Sequence, residues 1–225
     1  MQWITKLPII RIFTRWLEYI TRLAPLNDFE NYDEYWAFRE EQGLTTRELD
    51  RFKIIANRLN GTETVLDIGC GDCSFQSYLK KVKPECKALG VDFSKQAVEF
   101  GTSQGHKVKY LNENEALQTQ VDKIWDVVTL MEIIEHLPDA EELIKQVVAL
   151  NPKRIFITIP NVGCFRHRIR LMFGGRFPIT SIYYHMKEHV RFWTVKDFVQ
   201  WADYLNLDVV AVRGQFDYGD KYVEF

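Results

Sequence analysis

An acid and two glycines stand between an apolar run and a helical segment, in a pattern suited to holding a nucleotide-like ligand. Residues 64–68 are mostly apolar apart from Asp67, and they predict a strand buried on both faces. Gly69 and Gly71 follow, and residues 74–82 place apolar side chains at helical spacing. Glycine lets the backbone approach a ligand without intervening Cβ atoms. The stretch therefore predicts a strand–turn–helix unit that binds a ligand at its turn.

A second carboxylate ends the next predicted strand. Residues 87–92 form that strand, and Asp92 lies 23 positions after Gly69, near the spacing at which an acid accepts hydrogen bonds from a ribose. The turn has no pyrophosphate loop of the G-x-G-x-x-G kind. Because Asp67 sits two residues before the first glycine, the turn offers an acid suited to an amino group.

Two histidines are candidates for proton transfer. His136 follows the predicted strand over residues 125–132, at the edge where ligands bind in parallel sheets. His189 lies in the segment Glu-His-Val-Arg-Phe-Trp-Thr. An imidazole is the usual base near neutral pH, so either residue could accept a proton. The alternative, that each imidazole only orders its loop through hydrogen bonds, stays open.

The elements that must position these residues alternate between strand and helix. Five predicted strands cover residues 64–68, 87–92, 107–111, 125–132 and 155–159, with helical segments between them. A sixth strand is predicted over 207–212 and a seventh over 221–225. This alternation predicts an α/β fold: a doubly wound, mostly parallel, seven-stranded sheet with right-handed crossovers, Rossmann-like in architecture.

These residues resemble the core of the class I S-adenosylmethionine-dependent methyltransferases. The Asp-x-Gly-x-Gly turn carries the resemblance, together with the run Glu-Ile-Ile-Glu-His-Leu of residues 132–137, which is similar to methyltransferases of the UbiG type. Residues 160–180 are similar to the MetW-type proteins. The resemblance implies S-adenosylmethionine as the cofactor and S-adenosylhomocysteine as its product. One departure is Cys73, which stands where the family usually has a third glycine.

The resemblance also implies residue roles. Asp67 would hold the methionine amino group, Asp92 the ribose hydroxyls, and Asn112 the adenine amine. The implied cofactor-binding set is Asp67, Gly69, Cys70, Gly71, Asp92, Phe93, Asn112, Met131 and Glu132. The implied catalytic candidates are His136 and His189.

Length and composition limit the classes of protein. The chain has 225 residues, which is long enough for one α/β domain with an extension. Its formal net charge is −2. Its four cysteines are unevenly spaced, and Cys70 and Cys73 lack a second pair at zinc-finger spacing, so we expect neither a disulfide framework nor a zinc site. No transmembrane run or signal peptide is evident, which predicts a cytoplasmic protein.

The N-terminal region is predicted to be a helical extension. We place the cap over residues 1–45 and the methyltransferase domain over 46–225, with an insertion at about 161–192. Residues 8–24 form an amphipathic, basic helix, which either caps the domain by packing on the cofactor cleft or lies peripherally on an anionic membrane surface. We favour packing. The acidic, aromatic residues 27–50 either help to cover the cofactor or pack a helix against the sheet.

The inserted segment suggests the acceptor. Residues 151–191 contain eight Lys or Arg and one Glu, which favours an anionic small molecule: a metabolite, a glycan or a lipid-linked intermediate. We expect methylation of oxygen. Nucleic acid is not the expected acceptor, because the sequence has neither an Asn-Pro-Pro-Tyr run nor an added RNA-binding module.

Two alternative functions stay open at this point. Glu132, Glu135, His136 and His189 resemble the metal site of methyltransferases that modify the terminal ribose of small RNAs. The same Glu-His run occurs in metal-free relatives, so we predict no metal. The MetW resemblance also allows a cofactor-binding accessory protein without catalytic activity.

Overall fold

A computed structural model describes residues 8–22, 31–43, 48–122, 124–178, 189–214 and 222–224. The helices are α1 Pro8–Thr21, α2 Tyr32–Glu41, α3 Asp50–Ala56, α4 Ser74–Val82, α5 Lys95–Ser103, α6 Leu117–Gln120, α7 Ala140–Ala149, α8 Phe165–Gly174 and α9 Val195–Tyr204. The strands are β1 Thr64–Ile68, β2 Lys87–Asp92, β3 Val108–Tyr110, β4 Val127–Met131, β5 Arg154–Pro160, β6 Arg213–Gly214 and β7 Tyr222–Glu224.

The sheet has the order β3-β2-β1-β4-β5-β7-β6. Strands β1 to β5 are all parallel, which confirms the predicted Rossmann-like arrangement. The prediction of seven full strands is wrong at the C-terminal edge. There only two short antiparallel segments, β7 and β6, extend the five-stranded parallel sheet.

Both faces of the sheet are covered, as the apolar strands require. Neighbouring residues of one strand enter opposite layers: Leu66 packs with α7 and α9, whereas Val65 packs with α3 and α4. The same alternation separates Val128 from Val127 on β4. The reversal of strand order between β1 and β4 opens a crevice at the carboxyl ends of these strands, where such sheets bind ligands.

Most helix boundaries follow the sequence signals. Ser94, Asp139 and Thr194 each accept a hydrogen bond from the backbone amide three residues onward, as predicted for N-caps. The strand predicted over 207–212 does not form, and the helix predicted over 46–59 is shorter, since α3 runs from Asp50 to Ala56. Residues 44–47, 221 and 225, which also belong to predicted elements, lie outside the described residues.

The N-terminal helix packs on the inserted helix, not on the sheet. The guanidinium of Arg170 on α8 donates to the carbonyls of Tyr19, Ile20 and Arg22 at the C-terminal end of α1. The last carbonyls of a helix point beyond its final turn, so the arginine caps α1. This contact supports packing for residues 8–21 of the predicted helix. Within the described parts of the chain, no helix is long and apolar enough to cross a membrane.

Candidate functional site

The turn after β1 brings backbone close to two side chains. Gly69 and Gly71 have φ of +69° and +51°, the left-handed conformation that glycine adopts most readily. A Cβ on Gly71 would lie 2.3 Å from the Trp36 indole, and one on Gly69 would lie 2.1 Å from Ile133 Cδ1. Both positions therefore need glycine, which agrees with the spacing seen in the sequence.

Cys73 has φ of +58° although it is not glycine. Its thiol packs where Gly101 of α5 leaves room, because a Cβ at Gly101 would lie 2.5 Å from Cys73 Sγ. Cys70 and Cys73 are both buried, with their sulfurs 3.9 Å apart, and neither is in a disulfide. The departure from the third glycine is thus accommodated by a small residue on the facing helix.

Asp67 is a buried carboxylate on β1. Thr129 Oγ1 donates to its Oδ1 at 2.5 Å. Its Oδ2 is shielded from solvent and accepts no hydrogen bond of normal geometry among the described residues, although the nearby Gln76 side chain acts to lower the pKa of Asp67. Burial, with added repulsion from Asp92 and Asp72, raises the pKa of Asp67 to about 7. A buried oxygen without a well-aligned donor is suited to an incoming cationic group, because such a group would supply both the missing hydrogen bond and the missing charge.

Asp92 at the end of β2 holds the turn together. Its two carboxylate oxygens accept from the backbone amides of Gly71 at 2.8 Å and Ser94 at 2.9 Å. Burial raises the pKa of this carboxyl above its usual range, although these amide hydrogen bonds oppose the change. Each carboxylate oxygen has a second lone pair, so Asp92 retains capacity for two ribose hydroxyls.

Glu132 extends β4 into the crevice in a strained conformation. It has φ of +56°, and Thr158 Oγ1 donates to its Oε1 at 2.8 Å. Left-handed backbone outside glycine costs on the order of 1–3 kcal/mol and occurs often at functional sites. Met131, the last residue of β4, is half-buried beside it.

Asn112 follows β3 as predicted, but its side chain is engaged within its own turn. The amide nitrogen donates to Glu115 Oε1 at 2.7 Å, and Oδ1 accepts from the amide of Asn114 at 3.1 Å. A contact from Asn112 to adenine would have to compete with these bonds. Its assigned role stays a prediction.

Helix α2 packs over the turn, and the two interpretations of the aromatic segment both stay predictions. Asp33 Oδ1 accepts from Ser94 Oγ at 2.6 Å, and the ring of Tyr32 meets that of Phe93 edge-on, with centroids 4.9 Å apart. Trp36 lies over Gly71. These contacts place Phe93 at the boundary between the covering helix and the crevice.

Three residues after β4 and in the insertion form a compact cluster. Glu135 and His189 are buried, and the His136 side chain is 12% exposed. Glu135 Oε1 lies 3.9 Å from His136 Nε2 and 4.0 Å from His189 Nε2. The two imidazoles meet edge-on with centroids 4.7 Å apart, and the ring of Tyr32 is near His136. The two histidines predicted from sequence are therefore brought together.

Arg191 fixes this arrangement, a role that sequence reasoning missed. It forms two bonds of 2.6 Å to the Glu141 carboxylate, which also accepts from Trp201 Nε1. These bonds lower the pKa of Glu141 to about 2. Arg191 also donates to the carbonyl of Pro138. The backbone around His189 is thereby tied to the loop that carries His136.

The same cluster meets part of the requirements for a metal. Glu135, His136 and His189 offer ligand atoms that all lie within 4.8 Å of one another, a donor set suited to a borderline divalent cation. Glu132 does not belong to this group, since its carboxylate is held by Thr158. Of the four residues considered as metal ligands from the sequence, three come together.

The charge of the insertion is partly neutralised within the fold. Lys153 pairs with Asp126, Arg154 with Glu63 and Arg191 with Glu141, while Arg170 caps α1. Arg168 Nε also donates to the carbonyl of Gly163, and the Arg166 guanidinium lies over the Tyr19 ring, so six of the eight cations counted in the sequence have internal partners. Lys187 lies outside the described residues, and Arg168 and Arg176 are exposed.

The chain matches a family and several known proteins. A family model described as methionine biosynthesis protein MetW matches residues 49–221. A ubiquinone biosynthesis O-methyltransferase of Coxiella burnetii is 24% identical over 157 residues. That match covers 67% of this chain and 65% of the relative, so the chain spans somewhat less than two thirds of the relative's length.

Solved structures share the fold at low identity. A SAM-dependent methyltransferase from Anabaena variabilis superposes with a TM-score of 0.62 at 16% identity, covering 91% of this chain and 97% of that one. A SAM-dependent methyltransferase from Aquifex aeolicus gives a TM-score of 0.56 at 16% identity, covering 77% and 86%. These similarities establish the architecture within which the crevice is placed.

Proposed function

Because the chain belongs to the MetW family of class I S-adenosylmethionine-dependent methyltransferases, we propose that it transfers a methyl group from S-adenosylmethionine to an oxygen of a small acceptor. The observation that carries the proposal is the buried Asp67 Oδ2, which accepts no hydrogen bond of normal geometry among the described residues, beside a turn that excludes side chains. In this proposal Asp67 holds the methionine ammonium and Asp92 the ribose. When bound, the cofactor supplies a methyl group on a sulfonium.

The residues of this chain then position the acceptor. Transfer from a sulfonium is an in-line displacement, so most of the acceleration comes from alignment of the acceptor oxygen with the methyl group. We assign the base to His136, whose partly exposed imidazole can reach a bound molecule, while His189 is almost fully buried. Glu135, close to both rings, stabilises the imidazolium that forms when His136 takes the hydroxyl proton.

The acceptor proposed is a small anionic molecule. Support comes from the excess of positive charge in residues 151–191 and from the exposed cations Arg168 and Arg176. Lys153, Arg154 and Arg191 pair with acids inside the fold, which reduces that excess. Fewer cations are therefore available to attract an anionic acceptor than the sequence suggested. A metabolite, a glycan and a lipid-linked intermediate all fit this description.

Calorimetry followed by labelled transfer tests the function. We expect S-adenosylmethionine and S-adenosylhomocysteine to bind the purified protein with micromolar affinity. Radiolabelled methyl should then enter a small-molecule fraction of cell extract. Absence of heat with both nucleosides would contradict the proposal. Binding without transfer would instead support an accessory protein, and label in RNA that is lost with a chelator would support the ribose methyltransferase.

The elevated pKa of Asp67 predicts a pH dependence of cofactor binding. In the empty protein this carboxyl is protonated below about pH 7, whereas the cofactor's ammonium requires the carboxylate. Affinity should therefore rise about tenfold between pH 5.5 and pH 7, with proton release on binding below pH 7. Titration calorimetry in two buffers of different ionisation enthalpy measures both quantities.

The matched variant is Asp67→Asn, which keeps the shape of the side chain and removes its titration. This variant should bind S-adenosylmethionine more weakly than the wild type, and its affinity should not change between pH 5.5 and pH 7. The empty wild-type protein should also lose stability as pH rises from about 4 through 7, because its folded state favours the protonated acid. An equally steep binding profile in Asp67→Asn would assign the titration to another group.

A further inference from the structure

Helix α8 buries two of its polar residues and exposes most of its apolar ones. His167 and Arg170 are 3% and 1% exposed. In contrast Phe165, Met172 and Phe173 are 66%, 70% and 69% exposed. This is the reverse of a surface helix in a globular protein, whose apolar face points to the core.

The buried polar face is fully explained by the packing of α1. Arg170 caps the C-terminal carbonyls of α1, and the hydroxyl of Tyr19 lies 2.5 Å from His167 Nδ1. Burial lowers the pKa of His167 to about 4, so the imidazole is neutral at physiological pH. The inner side of α8 therefore has a structural role. Of its outer apolar residues, Phe165 meets the Trp16 ring of α1 edge-on, with centroids 6.3 Å apart, yet remains 66% exposed.

The outer face lies among positive charges. Residues 8–22 and 164–178 together carry a formal charge of +6, with Glu18 as their only acid, whereas the whole chain carries −2. Arg168 and Arg176 are exposed beside the apolar side chains. Leu17 of α1 is also exposed, at 51%, and Phe177, just after α8, is 50% exposed.

We propose that the exposed face of α8, with the adjoining side of α1, docks on the surface of a membrane that contains anionic phospholipids. The face is a convex helix with bulky apolar side chains between arginines, the composition that places a helix at the boundary between headgroups and acyl chains. The arginines match the charge of an anionic leaflet. The sequence pointed to residues 8–24 for such contact, and the structure moves its apolar part to α8.

This surface is separate from the proposed cofactor site and from the histidine cluster, although Arg168 and Arg176 are also the cations that support an anionic acceptor. None of the residues assigned to the cofactor or to proton transfer lies on α8. An acidic, apolar protein surface is the competing occupant, and it predicts a different outcome in the test below.

Vesicle flotation with the full chain tests the proposal. We expect the protein to float with vesicles of phosphatidylcholine containing about 30% phosphatidylglycerol, and to bind at least about tenfold less to pure phosphatidylcholine. The double variant Met172→Ser with Phe173→Ser should lose at least about tenfold of the partitioning. The double variant Arg168→Gln with Arg176→Gln should bind anionic vesicles more weakly than the wild type. Its binding to anionic vesicles should no longer exceed its binding to neutral vesicles.

The matched control is Tyr204→Ser with Val210→Ser, since these residues are 77% and 91% exposed but lie outside α1 and α8. The control should float like the wild type, and all variants should keep the wild-type melting temperature and cofactor affinity. Failure of the wild type to float would overturn the proposal, as would equal loss in test and control variants. Capture of a protein that is released by the α8 variants, without flotation, would assign the surface to that protein instead.

Discussion

Asp92→Ala is expected to weaken the binding of S-adenosylmethionine by about 100-fold or more. A hydrogen bond to a charged group contributes roughly 1.5–3 kcal/mol, and the proposed site loses two of them with the ribose hydroxyls. The substitution also removes the acceptor of the Gly71 and Ser94 amides, so the turn itself loses its anchor. Titration calorimetry measures the affinity, and thermal melting establishes that the variant is folded.

Two further variants make the result specific. Asp92→Asn keeps the size and one acceptor oxygen, and we expect an intermediate loss of about tenfold. Glu99→Ala removes an exposed acid from the nearby helix α5 and should bind like the wild type. If folded Asp92→Ala bound the cofactor with unchanged affinity, the proposed place of the ribose would be wrong.

The turn held by Asp92 could be predicted from the sequence because residues close together in the chain define its conformation. Helix α4 begins and ends at the predicted residues, and the positive φ of Gly69 and Gly71 follows from the same short stretch. Asp67 and Asp92 end up near each other because β1 and β2 are parallel neighbours, which the strand–helix alternation predicts.

The C-terminal edge could not be predicted in the same way. Residues 207–212 have the apolar composition of a strand, yet Val210 is 91% exposed and the segment pairs with nothing in the sheet. Strand propensity mainly reflects packing against neighbouring strands, and composition does not report whether those neighbours exist. The paired residues instead begin at Arg213.

Contacts between segments that lie far apart in the chain could not be predicted from the sequence either. Arg191 and Glu141 are 50 positions apart, and Arg170 lies about 150 positions from the carbonyls that it caps. Both arginines counted in the sequence as part of a basic insertion. Only the folded chain distinguishes cations that hold the site together from those, such as Arg168, that face solvent.

His136→Ala is expected to lower kcat by about 100- to 10,000-fold, the range that a general base contributes. The affinity for S-adenosylmethionine should stay within about twofold, since the proposed cofactor contacts lie at Asp67 and Asp92. The readout is initial rate of labelled methyl transfer into the acceptor fraction of cell extract. His106→Ala is the matched control, because this histidine binds Ser77 outside the cluster and should leave the rate unchanged.

His189→Ala separates a base from a positioning residue. His189 is almost fully buried and meets His136 edge-on, so it acts on the acceptor through its neighbour. We expect a smaller fall in kcat, about ten- to 100-fold, and a double variant no slower than His136→Ala. If His189→Ala were the slower single variant, the roles would be exchanged.

A chelator distinguishes this mechanism from metal catalysis at the same three residues. With His136 as a base, wild-type activity should survive dialysis against ethylenediaminetetraacetate, and added Mn²⁺ or Zn²⁺ should not raise it. A metal held by Glu135, His136 and His189 would instead make activity fall on chelation and return with one cation. All three single variants would then lose bound metal together, because each removes one ligand of a shared site. The unequal losses in kcat expected for His136→Ala and His189→Ala, without any change in metal content, would instead assign the cluster to proton transfer.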